Sequence, residues 1–585
     1  MSKQLIFNHE SEMPYISISR GDMEWNKTGT WRAQQPFYED KTPPCHAACP
    51  AGNDIVSFIL MMKQEDFEGA WKIITEENPF PGVCGRVCFH PCESKCNREG
   101  YDEPIAIHAL ERFIADFGAH QSHRQIHDIR KERFSRQEKI AIIGSGPAGM
   151  SCAYHLAKLN YAVTVFESFP LAGGMLRIGI PAYRLPKGVL DREISQIEAL
   201  GVEIRTGVPI GRRLSIEDLK DYQAIFVATG AHQSRTLNIP GEKGKKISNG
   251  LDFLKRINLN EKVLPGKRVA IIGGGNTAID VARSAIRLGK KPFILYRRSK
   301  EEMPAFEDEV IEAIEEGVEI QYLVNPIRIQ YQGGKERLEC LRMELGEKDE
   351  SGRRRPVPVP NSNFFIEADH VIISAGEEIE ISLLPRGIEK RDGIVLTRTG
   401  GRTDIEGIFA GGDIASNQRT VAHAIGSGKK AAIAIDCYLK GDEAEKVIQQ
   451  LWVGEGPSVS VFPYFHPGER IRNSHIVTFE ELNMDYFETS IRQRESKCPI
   501  KDRTKGYGEV TSTLMETAAL KEAGRCFGCG TCDECENCYI FCPDASIIKK
   551  GEEISHQVDY DYCKGCGICF AECPRGVISL KEEAR

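Results

Sequence analysis

The sequence has no long hydrophobic run. No apolar stretch approaches the roughly 18 residues that a membrane helix needs, so no membrane span is expected. It also lacks a basic block: 76 Lys and Arg stand against 84 Asp and Glu for a net charge of −8, which argues against nucleic acid as a partner. The opening MSKQLIFNHESEMPY has no basic stretch leading into an apolar one, so a secretory signal is not expected. A single core is excluded too, because 585 residues exceed what one core organises; three or four domains are expected. What the chain does have is cysteine. Twenty would form a disulfide framework only in a short secreted protein. Here sixteen fall in two knots, 45–96 and 526–573, spaced like metal ligands. Cys152, Cys340, Cys437 and Cys498 are scattered and read as ordinary thiols. Such usage implies a reducing compartment, the cytoplasm.

The pattern predicts a multidomain α plus α/β protein. Residues 1–37 are polar and aromatic without a period and read as an extended arm. DIVSFILMMKQEDFEGAWKIITEENPF spaces its apolar residues by three and four, which predicts two amphipathic helices in a helical domain over 38–137. Residues 123–138, at its end, are charged and read as a linker or exposed helix. KIAIIGSGPAGMSCAYHLAKLNYAVTVFES then reads strand, glycine turn, helix, strand. KRVAIIGGGNTAIDVARSAIRLGKKPFILYRR repeats that order about 130 residues later. Two such openings predict two Rossmann-like dinucleotide domains. The first spans 138–262 and resumes over 367–445, through ADHVIISAG; the second, 263–366, is an insertion in it. Residues 446–525 read as a connecting segment and 526–585 as a ferredoxin-like domain.

In the first loop, Gly144 makes the tight turn, Gly146 lets the backbone approach a pyrophosphate, and Gly149 lets the helix pack on the strand. Pro147 and Ala148 open that helix, whose N-terminus favours phosphate. Glu167 ends the next strand, placed for a ribose hydroxyl; Gly174, Thr229 and Gly230 are further binding candidates. GIFAGGDI, Gly407 to Ile414, looks like the second FAD motif of two-dinucleotide flavoproteins. That likeness implies that Asp413 bonds a ribitol hydroxyl, with Gly412 a further binding candidate, and that a helix from Thr420 and Val421 points at the flavin ring. The alternative is a tight strand–loop in the core. In the second loop, Gly273, Gly275, Asn276, Thr277 and Ala278 fit the variant ending in alanine. The strand after it ends in Arg297 and Arg298 rather than an acid, which favours a 2′-phosphate and NADP(H) over NAD(H). Solvated surface arginines are the other reading. No redox cysteine pair follows the flavin loop, so electrons must leave by another route.

The C-terminal knot holds two C-x2-C-x2-C-x3-C-P runs. Because the fourth cysteine of each run ligates the other cluster, Cys532, Cys535, Cys538 and Cys573 form one set, and Cys563, Cys566, Cys569 and Cys542 the other. Cys526 and Cys529 lie outside that register. The N-terminal knot reads CHAACP and VCGRVCFHPCESKC. With the two glycine loops, these residues resemble the small subunit of glutamate synthase and the electron-input half of dihydropyrimidine dehydrogenase, over about 40–445. That family begins with C-x2-C-x4-C-x3-C-P; only Cys45 and Cys49-Pro50 remain here, while EAGRCFGCG stands at 522–530. The resemblance implies one [4Fe-4S] cluster on Cys526, Cys529, Cys45 and Cys96. A second falls on Cys49, Cys88, Cys92 and Glu111, with Cys84 competing for the last place.

These parts imply an electron-transfer subunit using FAD, NADP(H) and four [4Fe-4S] clusters. With its ferredoxin module it is expected to join a 2-oxoacid:ferredoxin oxidoreductase-like partner or a ferredoxin, as a hetero-oligomer. A glutamate synthase small subunit and a non-catalytic redox scaffold or sensor are the alternatives. No acid–base dyad or nucleophile is required.

Overall fold

The computed structural model describes residues 9 and 27–583, apart from 130–135, 212–213, 264–265, 351, 381, 383, 470 and 551–553. Most of the arm expected over 1–37 lies outside the described residues. The chain divides into two compact units: 45–470 with 490–526, and 1–44 with 471–489 and 527–585.

The larger unit opens with the predicted pair of amphipathic helices, Ile55–Lys63 and Phe67–Glu77. Asp54 and Asp66 cap them, accepting from the backbone N–H of Ser57 at 3.2 Å and of Gly69 at 2.8 Å. Pro81–Val87, with proline in its first turn, and the long helix Ile107–Ile129 complete this region. Two five-stranded parallel sheets follow. The first runs Ile408–Ala410, Ala224–Val227, Lys139–Ile143, Ala162–Phe166, Glu203–Arg205. The second runs Glu319–Tyr322, Lys291–Tyr296, Arg268–Ile272, His370–Ile373, Ile247–Asn249. Their central strands are continuous apolar runs because both faces are covered. The second sheet draws strands from 247–249 and 370–373, so it reaches beyond the 263–366 expected for it.

The helix Val421–Lys440 joins the first sheet's glycine-loop helix to the cysteine region. A Cβ on Gly428 would stand 2.1 Å from the Ala148 carbonyl oxygen, and one on Gly426 would stand 2.0 Å from that of Pro50. Small residues therefore let one helix touch both backbones. Residues 490–526 are not a loose connection. Their helix Glu516–Gly524 packs on Ile55–Lys63 and Ile107–Ile129. Glu522, fully buried, accepts from the N–H of Ala106 at 2.8 Å and of Gln493 at 2.7 Å.

The smaller unit holds the hairpin Ile547–Lys550/Ile554–Val558 and the short helices Asn537–Ile540 and Ile568–Ala571. The strand Gln34–Tyr38 pairs antiparallel with Ile578–Glu582, Pro36 opposite Leu580 and Tyr38 opposite Ile578. The beginning of the chain thus supplies a strand to the fold built by its end. No helix among the described residues is long and apolar enough to cross a membrane.

Candidate functional site

The first glycine loop makes the turn and the close helix packing its spacing predicts. Gly144 adopts φ +104°, and a Cβ there would stand 2.5 Å from the Ala228 carbonyl oxygen. On Gly149 it would stand 2.0 Å from the Gly144 carbonyl oxygen, whereas on Gly146 it would meet nothing within 4 Å. Gly146 therefore faces open space at the start of the helix Pro147–Lys158, whose first turn has no side-chain cap. Unsatisfied N–H groups in such a place form an anion site. The space is one cleft of about 600 Å³, bordered by Gly144, Gly146, Pro147, Ala148, Glu167, Gly174, Thr229, Gly230, Gly412, Asp413, Thr420 and Val421.

Glu167 is buried there, its Oε2 accepting from the Ser145 N–H at 3.0 Å and its Oε1 from the Phe169 N–H at 2.8 Å. Thr229 Oγ1 is buried without a protein partner on the wall of this cleft. Burial pushes the Asp413 carboxyl up to about 6, with Arg419 opposing. Thr420 caps the helix Val421–Lys440, which opens into the same cleft.

The second loop borders the cleft from the other side through Asn276, Thr277 and Asp280. Gly275, like Gly146, leaves its Cβ position open, and the helix Asn276–Arg287 starts without a side-chain cap. Gly273, at φ +148°, forms the turn against the Ser374 carbonyl, and Ala278 is fully buried. Two dinucleotides fit this arrangement: two uncapped helix starts, each behind an open glycine, meet in one cleft. The arginine pair is separated. Arg297 is exposed, whereas Arg298 is buried and donates to Asp349 at 2.5 Å and to the Arg354 carbonyl at 2.8 Å. Arg298 is thus committed inside the domain, and Arg297 is the member of the pair that stays exposed.

Val87 and Phe89, which flank Cys88, also border the cleft. Phe89 stacks on His423 at 5.8 Å and on Phe306 at 6.5 Å, and the Phe306 N–H donates to Asn276 at 3.0 Å. The aromatic contact joins the cysteine region to the second nucleotide loop and to the first turn of the helix Val421–Lys440, and nothing in the spacing of the sequence announces it.

Behind Cys88 the N-terminal thiols gather. Burial raises Cys88, and the charges of Glu111 and Cys49 raise it further; burial also raises Cys92, with Cys49, Cys88 and Cys45 adding to it. Glu111 Oε1 accepts from Asn53 at 2.9 Å and Asn78 at 3.1 Å, while burial pushes its carboxyl up to about 7. Cys84, buried too, is close enough to feel Glu111 and Cys88, so both candidates for that place are present. Burial pushes Cys96 up to about 11, and Cys526 contributes. Cys526 is held by neighbours that sequence reasoning treated only as a marker of the motif. Arg525 donates to Glu522 at 2.7 Å, to Asp102 at 2.9 Å and to the Glu103 carbonyl at 2.6 Å, and Arg98 donates to Asp102 and to the Arg525 carbonyl. Losing one member of a buried, hydrogen-bonded ion pair costs about 3–5 kcal/mol, so this clamp fixes Cys526.

In the smaller unit the crossed sets are plain. Cys532, Cys535, Cys538 and Cys573 surround one small cavity, and Cys542, Cys563, Cys566 and Cys569 a second. Among the described residues no group of three or more His, Cys, Asp or Glu is arranged to hold a single metal ion; each quartet surrounds a space instead. The donor set is soft thiolate, which suits iron–sulfur clusters. Cys529 is buried in this unit, where the Gly530 N–H donates to the Arg575 carbonyl at 2.7 Å and the Lys41 N–H to the Gly530 carbonyl at 2.9 Å.

This geometry defines a flavin- and pyridine-nucleotide-dependent oxidoreductase with iron–sulfur domains. Residues 138–428 match the pyridine nucleotide-disulphide oxidoreductase family, 34–123 the dihydropyrimidine dehydrogenase domain II, 4Fe-4S cluster family, and 556–579 a 4Fe-4S binding domain. The chain is 39% identical to the NADP(+)-dependent formate dehydrogenase subunit beta of Moorella thermoacetica, over 83% of this chain and 70% of that protein. It is 36% identical to the NADPH-Fe(3+) oxidoreductase subunit beta of Geobacter sulfurreducens, over 84% and 76%. To the glutamate synthase [NADPH] small chain of Escherichia coli it is 33% identical, over 68% and 89%. The chain belongs to the family that unites glutamate synthase small subunits with the electron-input half of dihydropyrimidine dehydrogenase, and its cofactors are FAD, NADP(H) and [4Fe-4S] clusters.

Gly146 has an ordinary φ of −68° and a free Cβ position, so Gly146→Val leaves the backbone unstrained and fills the phosphate cradle. The purified variant is expected to lose its flavin absorbance at least tenfold while iron content and circular dichroism hold. Arg297→Ala is expected to raise KM for NADPH about tenfold, one charge-assisted phosphate contact, with little change for NADH. Arg298→Ala should instead lower the melting temperature, and steady-state kinetics alongside thermal unfolding separate the two.

Proposed function

We propose that the chain is the pyridine-nucleotide-reactive subunit of a hetero-oligomeric oxidoreductase, exchanging electrons between NADP(H) and a partner through FAD and four [4Fe-4S] clusters. When bound, the flavin handles a hydride's electron pair and the clusters pass single electrons, chemistry that belongs to the cofactors. The chain's own residues orient and insulate them. Gly144, Gly146, Gly149 and Glu167 hold the dinucleotide end of FAD and Asp413 its ribitol, with Thr420 and Val421 at the helix start beside the ring. Gly273, Gly275, Asn276, Thr277, Ala278 and Arg297 receive NADP(H).

One cluster falls on Cys49, Cys88 and Cys92 with Glu111 as the remaining ligand, and one on Cys45, Cys96, Cys526 and Cys529. The inclusion of Cys529 rests on the EAGRCFGCG pattern. The two crossed quartets hold the others. The observation that carries the reading is the single cleft bordered by both glycine loops and by Val87 and Phe89, the neighbours of Cys88. The relatives named as beta subunits support a partner chain. Its class is an oxidoreductase exchanging single electrons with the ferredoxin quartets: the 2-oxoacid:ferredoxin type inferred from the ferredoxin module, or the formate dehydrogenase type in a relative's name.

Two measurements test this. The brown, flavin-loaded protein alone is expected to reduce viologen with NADPH; failure with both NADPH and NADH favours a scaffold. Cys526→Ser with Cys529→Ser should lower iron from about sixteen to about twelve per chain, one four-iron cluster; unchanged iron removes that assignment.

A further inference from the structure

The helix Val421–Lys440 carries a charge that the electron path described above does not use. Lys429, in its middle, is fully buried, and its Nζ donates to Glu77 Oε2 at 2.5 Å. Glu77 ends the helix Phe67–Glu77 and is itself buried. Its Oε2 also accepts from the Val461 N–H at 2.9 Å, and its Oε1 from the Phe462 N–H at 3.2 Å and from the Ser460 hydroxyl. A buried ion pair is a poor device for stability, since an apolar pair of similar volume often serves as well. Its position offers another use.

The ammonium lies against the turn that carries Cys49. The Gly52 N–H closes that turn on the Cys49 carbonyl at 2.9 Å, and a Cβ on Gly52 would stand 2.9 Å from Lys429 Nζ. One turn earlier on the helix, Gly426 touches the Pro50 carbonyl. The same helix begins in the flavin cleft, with Thr420, Val421 and Ala424 on its wall. A fixed cation in a low-dielectric interior stabilises whichever state of its neighbour is more negative. For a thiolate-bound cluster that is the reduced state, and nearby charge is among the levers that set cluster potentials.

Resting on the assignment of Cys49 as a ligand, we propose that Lys429, anchored by Glu77, raises the reduction potential of the cluster held by Cys49 and so makes it the acceptor next to the flavin. The step is a one-electron transfer: the reduced flavin loses one electron, the cluster gains it, and NADPH supplies the flavin's pair. No bond forms or breaks at Lys429, which acts as a positioning charge.

Redox titration of the holoenzyme followed by electron paramagnetic resonance tests the proposal. In Lys429→Gln with Glu77→Gln, a neutral pair of similar volume, one cluster's midpoint is expected to fall by about 59 mV, a tenfold change for a one-electron couple. The other midpoints, the iron and the flavin should be unchanged. Glu77→Gln alone keeps the ammonium and should move the same midpoint upward, which carries the test by its sign if the double variant does not fold. Full cofactor content with every midpoint unmoved, or both variants shifting in one direction, overturns the inference. Cys49→Ser separates it from the ligand assignment: retention of all the iron there overturns that assignment instead.

Discussion

Like charges held together out of water are the constraint on which both cysteine regions depend. In the crossed quartets, burial pushes Cys538 up to about 11 and Cys569 up to about 12, and in each case neighbouring cysteines add to the rise. Four thiolates around one small space repel one another, yet only the thiolate ligates a metal. A cationic iron–sulfur core reverses that sign and makes the deprotonated state the stable one, so loading and folding of these regions are coupled. The backbone assists. The Ser546 N–H donates to Cys542 Sγ at 3.3 Å and the Gly565 N–H to Cys563 Sγ at 3.4 Å, contacts that favour negative sulfur.

The same economy of space governs the larger unit. The helix Val421–Lys440 starts at the flavin cleft and reaches the Cys49 turn by Lys429, eight residues or about 12 Å along its axis. It does so because Gly426 and Gly428 admit the Pro50 and Ala148 backbones where any side chain would collide. A bulkier residue at either position would part the cleft from the cysteines. Packing density, here, is the means by which distance between redox sites is set.

Much of this was legible in the sequence where the signal is local. Gly144, Gly146 and Gly149 act within one turn, so their spacing alone states their roles. The C-terminal runs declare their crossed sets because each motif is short and ends in Cys-Pro. What was not legible depends on partners far along the chain. The strand Gln34–Tyr38 has no period of its own and is fixed by Ile578–Glu582. Arg298 reads as a phosphate ligand until Asp349 and the Arg354 carbonyl, more than fifty residues on, are seen to hold it. Glu522 and Arg525 look like the consensus around a cysteine, yet their work is to bind Asp102, Glu103 and Ala106. Residues 490–525, part of the stretch 446–525 read as a connection for want of periodicity, are held by such pairs together with the buried Leu514, Ala519 and Ala523.

The family name refers to a disulfide, and no cysteine lines this cleft among the described residues. Cys152 sits on the glycine-loop helix, but it is fully buried and burial raises its thiol well above the ordinary range, which leaves it inert. The residues at the cleft wall are Val87 and Phe89, and the sulfur between them belongs to the gathered N-terminal thiols. A dithiol would return a pair of electrons to a substrate at the flavin. The cleft wall here is instead made of Val87 and Phe89, the neighbours of Cys88. The aromatic stack of Phe89 with His423 and Phe306 ties that wall to the second nucleotide loop and to the start of the helix Val421–Lys440.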